Sequence, residues 1–494
     1  MKKINDTKSL WLPGILVAGL IGAVTPAMVL ADVPSKTKPN ILLIIADDLN
    51  DWIGPLKGHP QARTPHLDRL AARGVTFRNA QCPAPLCNPS RAAFMSGLRP
   101  STTGIYHNQQ VWMPHIGRGL CINDYLRKYG YTSLGAGKIY HYRNYRAEDW
   151  DEVVFPADDT LPNHPAKRRP GPFGYRMFTP GEPEHPFDEQ RAESKLADAR
   201  SVSWCIEQLA QPKPPFFMAC GLHRPHTPWD VPKKYFDLYP LETIQLPTVL
   251  TNDLDDVPGP GVEFAKPGGV HDTILKAGLW PDRVRAYLAA VAFADAQVGR
   301  LLDALDRSPF RDHTIIVFVG DNGWHLGQKE HWAKVTLWNE ATRVPLIWVA
   351  PGVAKPGTMC AQAVDLMSLY PTLCELAGVP VPKHAEGVSI KPLLANPAAA
   401  WTQPALSTMY KDNHTLCTAE WRYIRYADGS EELYDERTDP REWINLAGKA
   451  EYADVKKNLA KYLPAINAAP VPAKASPAKK KKKKGKRRAA AARR

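Results

Sequence analysis

Ile41-Leu42-Leu43-Ile44-Ile45-Ala46 is a continuous apolar run that halts at Asp47-Asp48. A strand with one wet face alternates apolar and polar residues. A run without alternation predicts a strand buried on both faces, as in a parallel sheet covered by helices. Phe216–Gly221, Thr314–Val319 and Val344–Ala350 read the same way. Helical patterns fall between and around them, at His66–Arg73, Cys121–Tyr129, 190–210, Arg283–Leu305 and Leu366–Ala377. Strands alternating with helices predict an α/β sheet with helices on both faces. Polar groups just past the carboxyl ends of such strands converge on one site. Asp47, Asp48, His223, Asp321 and Asn322 all hold such positions.

Beyond residue 400 the pattern changes. Short strand-like runs at Ala405–Tyr410, Leu416–Tyr426 and Leu433–Asp435 predict a small antiparallel sheet, and a last helix is expected over Tyr452–Leu463. Residues 468–494 are Ala, Pro, Lys and Arg, a composition that predicts disorder. The expected organisation is an export signal over 1–31, a large α/β domain over 32–399, a small α+β subdomain over 400–467 and a basic tail over 468–494.

The chain has 494 residues, ample for a large core. Its formal charge of +13 does not describe the folded body. The tail supplies +12 and residues 1–31 supply +2, which leaves −1 for everything between. A body so close to neutral gives no sign of specific nucleic-acid binding. The Lys479–Lys484 run with Arg487 and Arg488 is expected to bind polyanions weakly and without specificity. Residues 1–31 combine a basic start, an apolar stretch from Leu10 to Leu30 and a small-residue site at Val29-Leu30-Ala31. That predicts a cleaved signal and a periplasmic or extracellular location, with an uncleaved membrane anchor as the rival. Of the eight Cys (82, 87, 121, 205, 220, 360, 374 and 417), none has zinc-ligand spacing and no disulfide pairing can be deduced.

Cys87-Asn88-Pro89-Ser90-Arg91 opens a small-residue segment, Ala92-Ala93-Phe94-Met95-Ser96-Gly97. Asn88 reads as an N-cap and Pro89 as the first helical residue. A helix N-terminus favours anions and developing negative charge, and Arg91 sets a forked cation beside Cys87.

This segment resembles the signature of the type I sulfatases, in which the Cys is oxidised to formylglycine. The resemblance extends along the chain in order. Asn40–Asp48 resembles the family's first strand, and Cys82–Tyr106 its nucleophile segment. Gly135–His141 resembles the segment that supplies a Lys and a His, and Gly221–Pro228 the substrate-facing His loop. Asp321-Asn322-Gly323 with Lys334 resembles the second metal segment. Asp365–Gly378 and Glu432–Ala447 are similar to later landmarks of the family. Within the family, Leu98–Tyr106 and Trp332-Ala333-Lys334 are most like the iduronate-2-sulfatase group.

The resemblance implies an alkaline-phosphatase-like fold, a large mixed and mostly parallel sheet flanked by helices, with a small C-terminal antiparallel sheet. It implies catalytic roles for Cys87, Arg91, Lys138, His141, His223 and Lys334. Asp47, Asp48, Asp321 and Asn322, with the modified Cys87, would hold a metal. Their hard oxygen donors suit Ca²⁺ or Mg²⁺ and not zinc, and flexible coordination favours Ca²⁺. Lys138, His223 and Lys334 would bind sulfate oxygens, while Arg224 and His226 would meet a sugar carboxylate. The hydrated aldehyde would attack sulfur in line, with His223 or Lys334 protonating the leaving oxygen and His141 drawing a proton from the second hydroxyl to release sulfate. The implied partners are a sulfated carbohydrate and a formylglycine-generating enzyme. The preferred substrate is a 2-O-sulfated uronic acid at a chain end, and the segment 143–185 is the expected lip of its pocket. The alternatives are a phosphonate or phosphate ester hydrolase and an inactive polyanion-binding homologue.

Overall fold

The computed structural model describes residues 38–473 except 142–144, 156–192 and 212. Residues 1–31, the tail beyond Ala473 and most of the expected lip lie outside the described residues.

The main sheet contains β1 (Asn40–Asp47), β2 (Val75–Gln81), β3 (Thr132–Gly137), β4 (Glu152–Val154), β5 (Phe216–Pro225) and β6 (Thr314–Gly320). A two-stranded ribbon follows, β7 (His325–Leu326) with β8 (Trp332–Ala333). The main sheet is completed by β9 (Arg343–Val344), β10 (Leu346–Val349) and β11 (Thr358–Asp365). Its spatial order is β11-β2-β10-β6-β1-β5-β3-β4, with β9 paired to β2. β6, β1, β5, β3 and β4 run parallel, whereas β10 is antiparallel to both its neighbours. The predicted strand over Val344–Ala350 is split by Pro345, which has no N–H to give to a ladder.

β1 sits in the middle, and all eight of its residues are buried. Its side chains alternate between two cores. Leu42, Ile44 and Ala46 join one face with α1 (Pro65–Ala71), α4 (Ala197–Ala210) and α5 (Trp280–Arg307). Ile41, Leu43 and Ile45 join the other with α2 (Cys87–Ser96), α3 (Ile122–Arg127) and α6 (Leu369–Leu376). Burial of each large aliphatic side chain here contributes about 2 kcal/mol. This two-sided cover is what the unbroken apolar run predicts.

The small sheet has four antiparallel strands, β12 (Ala405–Thr408), β13 (His414–Cys417), β14 (Trp421–Arg425) and β15 (Glu431–Asp435). The expected run Leu416–Tyr426 is therefore a hairpin rather than one strand. The last helix, α7, spans Ala453–Ala460. Arg422 ties this sheet to the main body. It is fully buried, pairs with Glu442 and Glu436, and donates to Thr342 Oγ1 at 3.2 Å and to the Leu337 carbonyl at 3.3 Å. The chain beyond 467, expected to be disordered, is instead held as far as Ala473. Ala468 N donates to Ser101 O at 2.8 Å and Val471 N to Gly104 O at 3.0 Å. Among the described residues, no helix is long and apolar enough to cross a membrane.

Candidate active site

Four adjacent parallel strands, β3, β5, β1 and β6, deliver their carboxyl ends to one edge of the sheet. β1 brings Asp47 and Asp48, β6 is followed by Asp321 and Asn322, β5 carries His223, and β3 is followed by Lys138 and His141. The strand-end placement expected from the apolar runs is thus observed. Close approach of β3 and β5 depends on Gly137, which has φ 75° and where an added Cβ would strike the Gly221 carbonyl. Lys138 N then donates to that same carbonyl at 2.8 Å, which anchors the lysine at the rim.

Cys87 lies in the first turn of α2, a helix with every residue buried. Its Sγ is 2.7 Å from Lys334 Nζ and 3.8 Å from Asp48 Oδ1. The helix starts earlier than expected. Leu86 is the extended residue before it, so Asn88 is not the N-cap. Capping comes instead from a distant loop: Asn108 Oδ1 accepts from Asn88 N at 2.9 Å. The Asn88 amide donates to His107 O at 2.8 Å and Gln110 O at 3.0 Å. An orphan helical N–H takes whatever acceptor the fold supplies.

Arg91 is fully buried and knits the carboxylates together. Its Nε donates to Asp321 Oδ2 at 2.6 Å, and its guanidinium lies 3.5 Å from Asp47 Oδ1. Lys138 pairs with Asp47, and Lys334 with Asp48. Asn322 donates to Asp48 Oδ1 at 2.8 Å, and Asp48 N donates to Asp321 Oδ1 at 3.0 Å. His223 Nδ1 is 3.8 Å from Asp47 Oδ2, and His226 Nε2 is 3.7 Å from Asp48 Oδ2.

His226 therefore belongs to the cluster, closer in than a rim residue. Its Nδ1 meets the Thr227 carbonyl at 2.5 Å. A carbonyl only accepts, so Nδ1 carries the proton and Nε2 faces the site as an acceptor. Arg224 is held differently, with its guanidinium on the Asp230 carbonyl at 3.2 Å and its backbone N–H on Asp198 Oδ2 at 3.0 Å.

Several supporting residues carry no sequence motif. Asp198 also accepts from His223 N at 2.6 Å and so fixes the His loop. Tyr287 donates to the Asp48 carbonyl at 2.9 Å and accepts from Asn50 N at 3.0 Å. This holds Asp48 at φ 61°, a left-handed conformation unfavourable for a residue with a side chain. Ser90 Oγ donates to the Asp321 carbonyl at 2.5 Å. The Lys334 ammonium stands 5.6 Å from the Trp324 ring centroid.

The electrostatics define what the cluster can do. Burial pushes Asp321 up to about 7 and raises Asp48. At Asp47 burial also works upward, but Lys138, His226, Arg91 and Lys334 together hold it well below the usual carboxylate range. Burial and then Asp47 drive the Cys87 thiol well up. An unmodified Cys87 is thus a protonated thiol at neutral pH and a poor nucleophile. Burial, and next Lys138, push His141 well down, so it is a neutral imidazole able to accept a proton.

Asp47 Oδ1, Asp48 Oδ2 and Asn322 Oδ1 are buried with no hydrogen-bond partner. Ligating atoms of Asp47, Asp48 and Cys87 lie within 4.8 Å of one another, as do those of Asp47, His223 and His226. Orphaned buried oxygens of this kind fit a hard divalent cation, with Asp47, Asp48 and Asn322 able to offer free oxygens and Asp321 a shared carboxylate. All eight cysteines are buried free thiols, so no disulfide ties Cys82 to Cys87.

Comparison with known proteins agrees with this geometry. A family model described as Sulfatase matches residues 39–379, and one described as N-sulphoglucosamine sulphohydrolase, C-terminal, matches residues 327–469. A protein named Sulfatase from Formosa agariphila is 38% identical over 454 residues, covering 87% of this chain and 87% of that one. Human iduronate 2-sulfatase is 33% identical over 390 residues, covering 69% of this chain and 70% of its own. Among solved structures, BT4656 in complex with D-glucosamine-2-N,6-O-disulfate superposes with a TM-score of 0.69 at 23% identity. That match covers 86% of this chain and 96% of the other, and at that identity it bears on the fold alone.

Proposed function

The chain belongs to the sulfatase family and is a sulfuric ester hydrolase. From that premise we propose that it is an exported enzyme that removes sulfate from a carbohydrate, a 2-O-sulfated uronic acid at a chain end, through a formylglycine made from Cys87. The observation that carries the reading is the surroundings of Cys87: a fully buried thiol 2.7 Å from the Lys334 ammonium, beside carboxylates with orphaned oxygens. A thiol kept protonated by its burial has no use as a nucleophile there, whereas an aldehyde made from it does.

The residues divide the work as follows. Lys138, His223 and Lys334 stand around the position that a sulfate beside Cys87 would take, and their donors neutralise its non-bridging oxygens. Arg91 orients Asp321 and Asp47 and leaves its positive charge beside the nucleophile. His223 or Lys334 gives a proton to the departing alcohol oxygen, and neutral His141 takes one from the modified Cys87. Hydration of the aldehyde supplies two geminal hydroxyls, one to attack sulfur and a second whose collapse expels sulfate. A bound Ca²⁺ (Mg²⁺ is the alternative), held by Asp47, Asp48, Asp321 and Asn322, would polarise a sulfate oxygen.

The sugar assignment is supported by the 33% identity to human iduronate 2-sulfatase. On this reading Arg224 lies toward the sugar, His226 stays with the sulfate-side cluster 3.7 Å from Asp48 Oδ2, and a formylglycine-generating enzyme matures the chain. The test is a panel of oligosaccharides that differ only in sulfate position. Release of 2-O-sulfate from a terminal uronate is expected. Removal of 6-O-sulfate with 2-O-sulfate left in place refutes the regiochemistry, and faster turnover of matched phosphate or phosphonate esters refutes the sulfate-ester assignment.

A further inference from the structure

Lys334 reaches position 87 from a strained stretch of backbone. Lys329, Glu330, Ala333 and Val335 have φ of 53°, 51°, 88° and 78°, so four of the seven residues 329–335 are left-handed without being glycine. Val335 is β-branched and a clear outlier in that region. Such conformations persist only where the surroundings over-determine them. Ala333 and Val335 flank Lys334 directly, so the ordinary alternation of a strand does not set the direction of its ammonium. The contacts that hold the stretch do.

Val335 N donates to the Pro85 carbonyl at 3.2 Å, which joins the stretch to the residues just before Cys87. The His331 ring stands between two carbonyls, 2.8 Å from Ala265 O and 2.9 Å from Lys334 O. Lys329 supplies the widest hold. Its side chain is fully buried, and so is Asp253. The ammonium lies 2.6 Å from Asp253 Oδ1 and donates to the Glu442 carbonyl. It stands 5.5 Å from the Trp338 ring centroid and 5.4 Å from that of Tyr434. One cation thus joins the ribbon β7–β8, the loop at Asp253 and the turn that follows β15 of the small sheet. Apolar contacts are non-directional, whereas an ammonium gripped by groups from separate parts of the chain has its position fixed.

We infer that Lys329, held by Asp253 and the Glu442 carbonyl, is a positioning residue that pins the ribbon so that Lys334 points at the group on residue 87. The inference rests on the role given to Lys334 above. It adds that the small sheet, through Glu442, takes part in aligning the site. Lys329 itself touches no substrate. Its loss lets residues 333–335 relax, and misplacing a reacting group by about 1 Å lowers the rate about 100-fold.

The test is kinetic, with an aryl sulfate as substrate at about pH 8, above the value of about 7 to which burial raises Asp253. Each preparation is normalised to its fraction modified at Cys87. Lys329→Met is expected to lower kcat/KM about 100-fold, and Lys334→Ala about 1000-fold. Because Lys329 acts through Lys334, the double variant Lys329→Met/Lys334→Ala should match Lys334→Ala within about 2-fold. A further loss of about 100-fold in that background means that Lys329 acts elsewhere, and it overturns the inference. Parent-level kcat/KM in Lys334→Ala overturns the role of Lys334 and the inference with it, a result that the Lys329 variants cannot mimic.

Lys329→Met strands the Asp253 carboxylate, so a second variant separates alignment from stability. Asp253→Leu/Lys329→Met replaces the buried pair by apolar side chains, a change that buried pairs commonly tolerate. It is expected to unfold within about 3 °C of the parent and still to show the roughly 100-fold loss of kcat/KM. Parent-level turnover in this variant shows that only stability was at stake and overturns the inference.

Discussion

Arg91→Met removes the buried cation that compensates two carboxylates. Arg91, Asp47 and Asp321 are all fully buried, at 2.6 Å and 3.5 Å separations. Loss of one partner from a buried pair costs about 3–5 kcal/mol, because the abandoned charge has no water to turn to. The Arg91 guanidinium also serves the Ile139 carbonyl at 3.3 Å, which loses its donor and adds about 1 kcal/mol. Against a total stability of about 5–15 kcal/mol, the variant should lose about a quarter or more. Thermal unfolding in Ca²⁺ and in chelator measures it. The gap between variant and parent should widen in chelator, because a bound cation otherwise offsets part of the unpaired charge. Arg91→Lys keeps the charge but cannot span Asp321 and the carbonyl, so it should fall between the two. An Arg91→Met protein within about 0.5 kcal/mol of the parent in chelator would refute Arg91 as the counter-ion of this cluster.

Chelation should abolish aryl sulfate turnover and lower the unfolding temperature, with Ca²⁺ restoring both; full activity in a protein shown by elemental analysis to be metal-free contradicts the oxygen-ligand assignment. Arg422→Met strands Glu442 in the interface between the two sheets and should cost about 3–5 kcal/mol in denaturant unfolding, and a loss below about 1 kcal/mol rejects that role. Burial lowers His414 from 6.5 to about 4. The unfolded chain binds that proton first as pH falls, so stability present above about pH 6.5 should drain by about 3 kcal/mol on the way to pH 4. His414→Gln should flatten that part of the pH profile, and an unchanged slope argues against it.

Much of the site is legible because the strands that build it are buried on both faces. β1, β5 and β6 appear as unbroken apolar runs, and their ends locate Asp47, Asp48, His223, Asp321 and Asn322. β3 is not readable that way: Thr132-Ser133-Leu134-Gly135-Ala136-Gly137 is small and Gly-rich because its neighbour approaches so closely. β2 and β11 mix polar and apolar residues and escape the same pattern. Asn88 has N-cap propensity without the N-cap position, because local propensity does not register Asn108 arriving from another loop. Asp198 and Tyr287 act on His223 and Asp48 through backbone atoms, an interaction with no side-chain motif. The docking of residues 468–473 is hidden for a similar reason, since Gln110 and Val471 stand 361 residues apart and a stretch of Ala and Pro gives no periodicity.

The group acting at position 87 is expected to be an aldehyde and not the encoded thiol. Mass spectrometry of the peptide containing Cys87, taken from active protein made in a host with the maturation enzyme, tests it most directly. The expected mass is that of CHO in place of CH2SH, with the residue trapped by a hydrazine probe and aryl sulfate activity rising with the modified fraction. Full activity in protein whose Cys87 is entirely unmodified thiol rules out the aldehyde as the nucleophile.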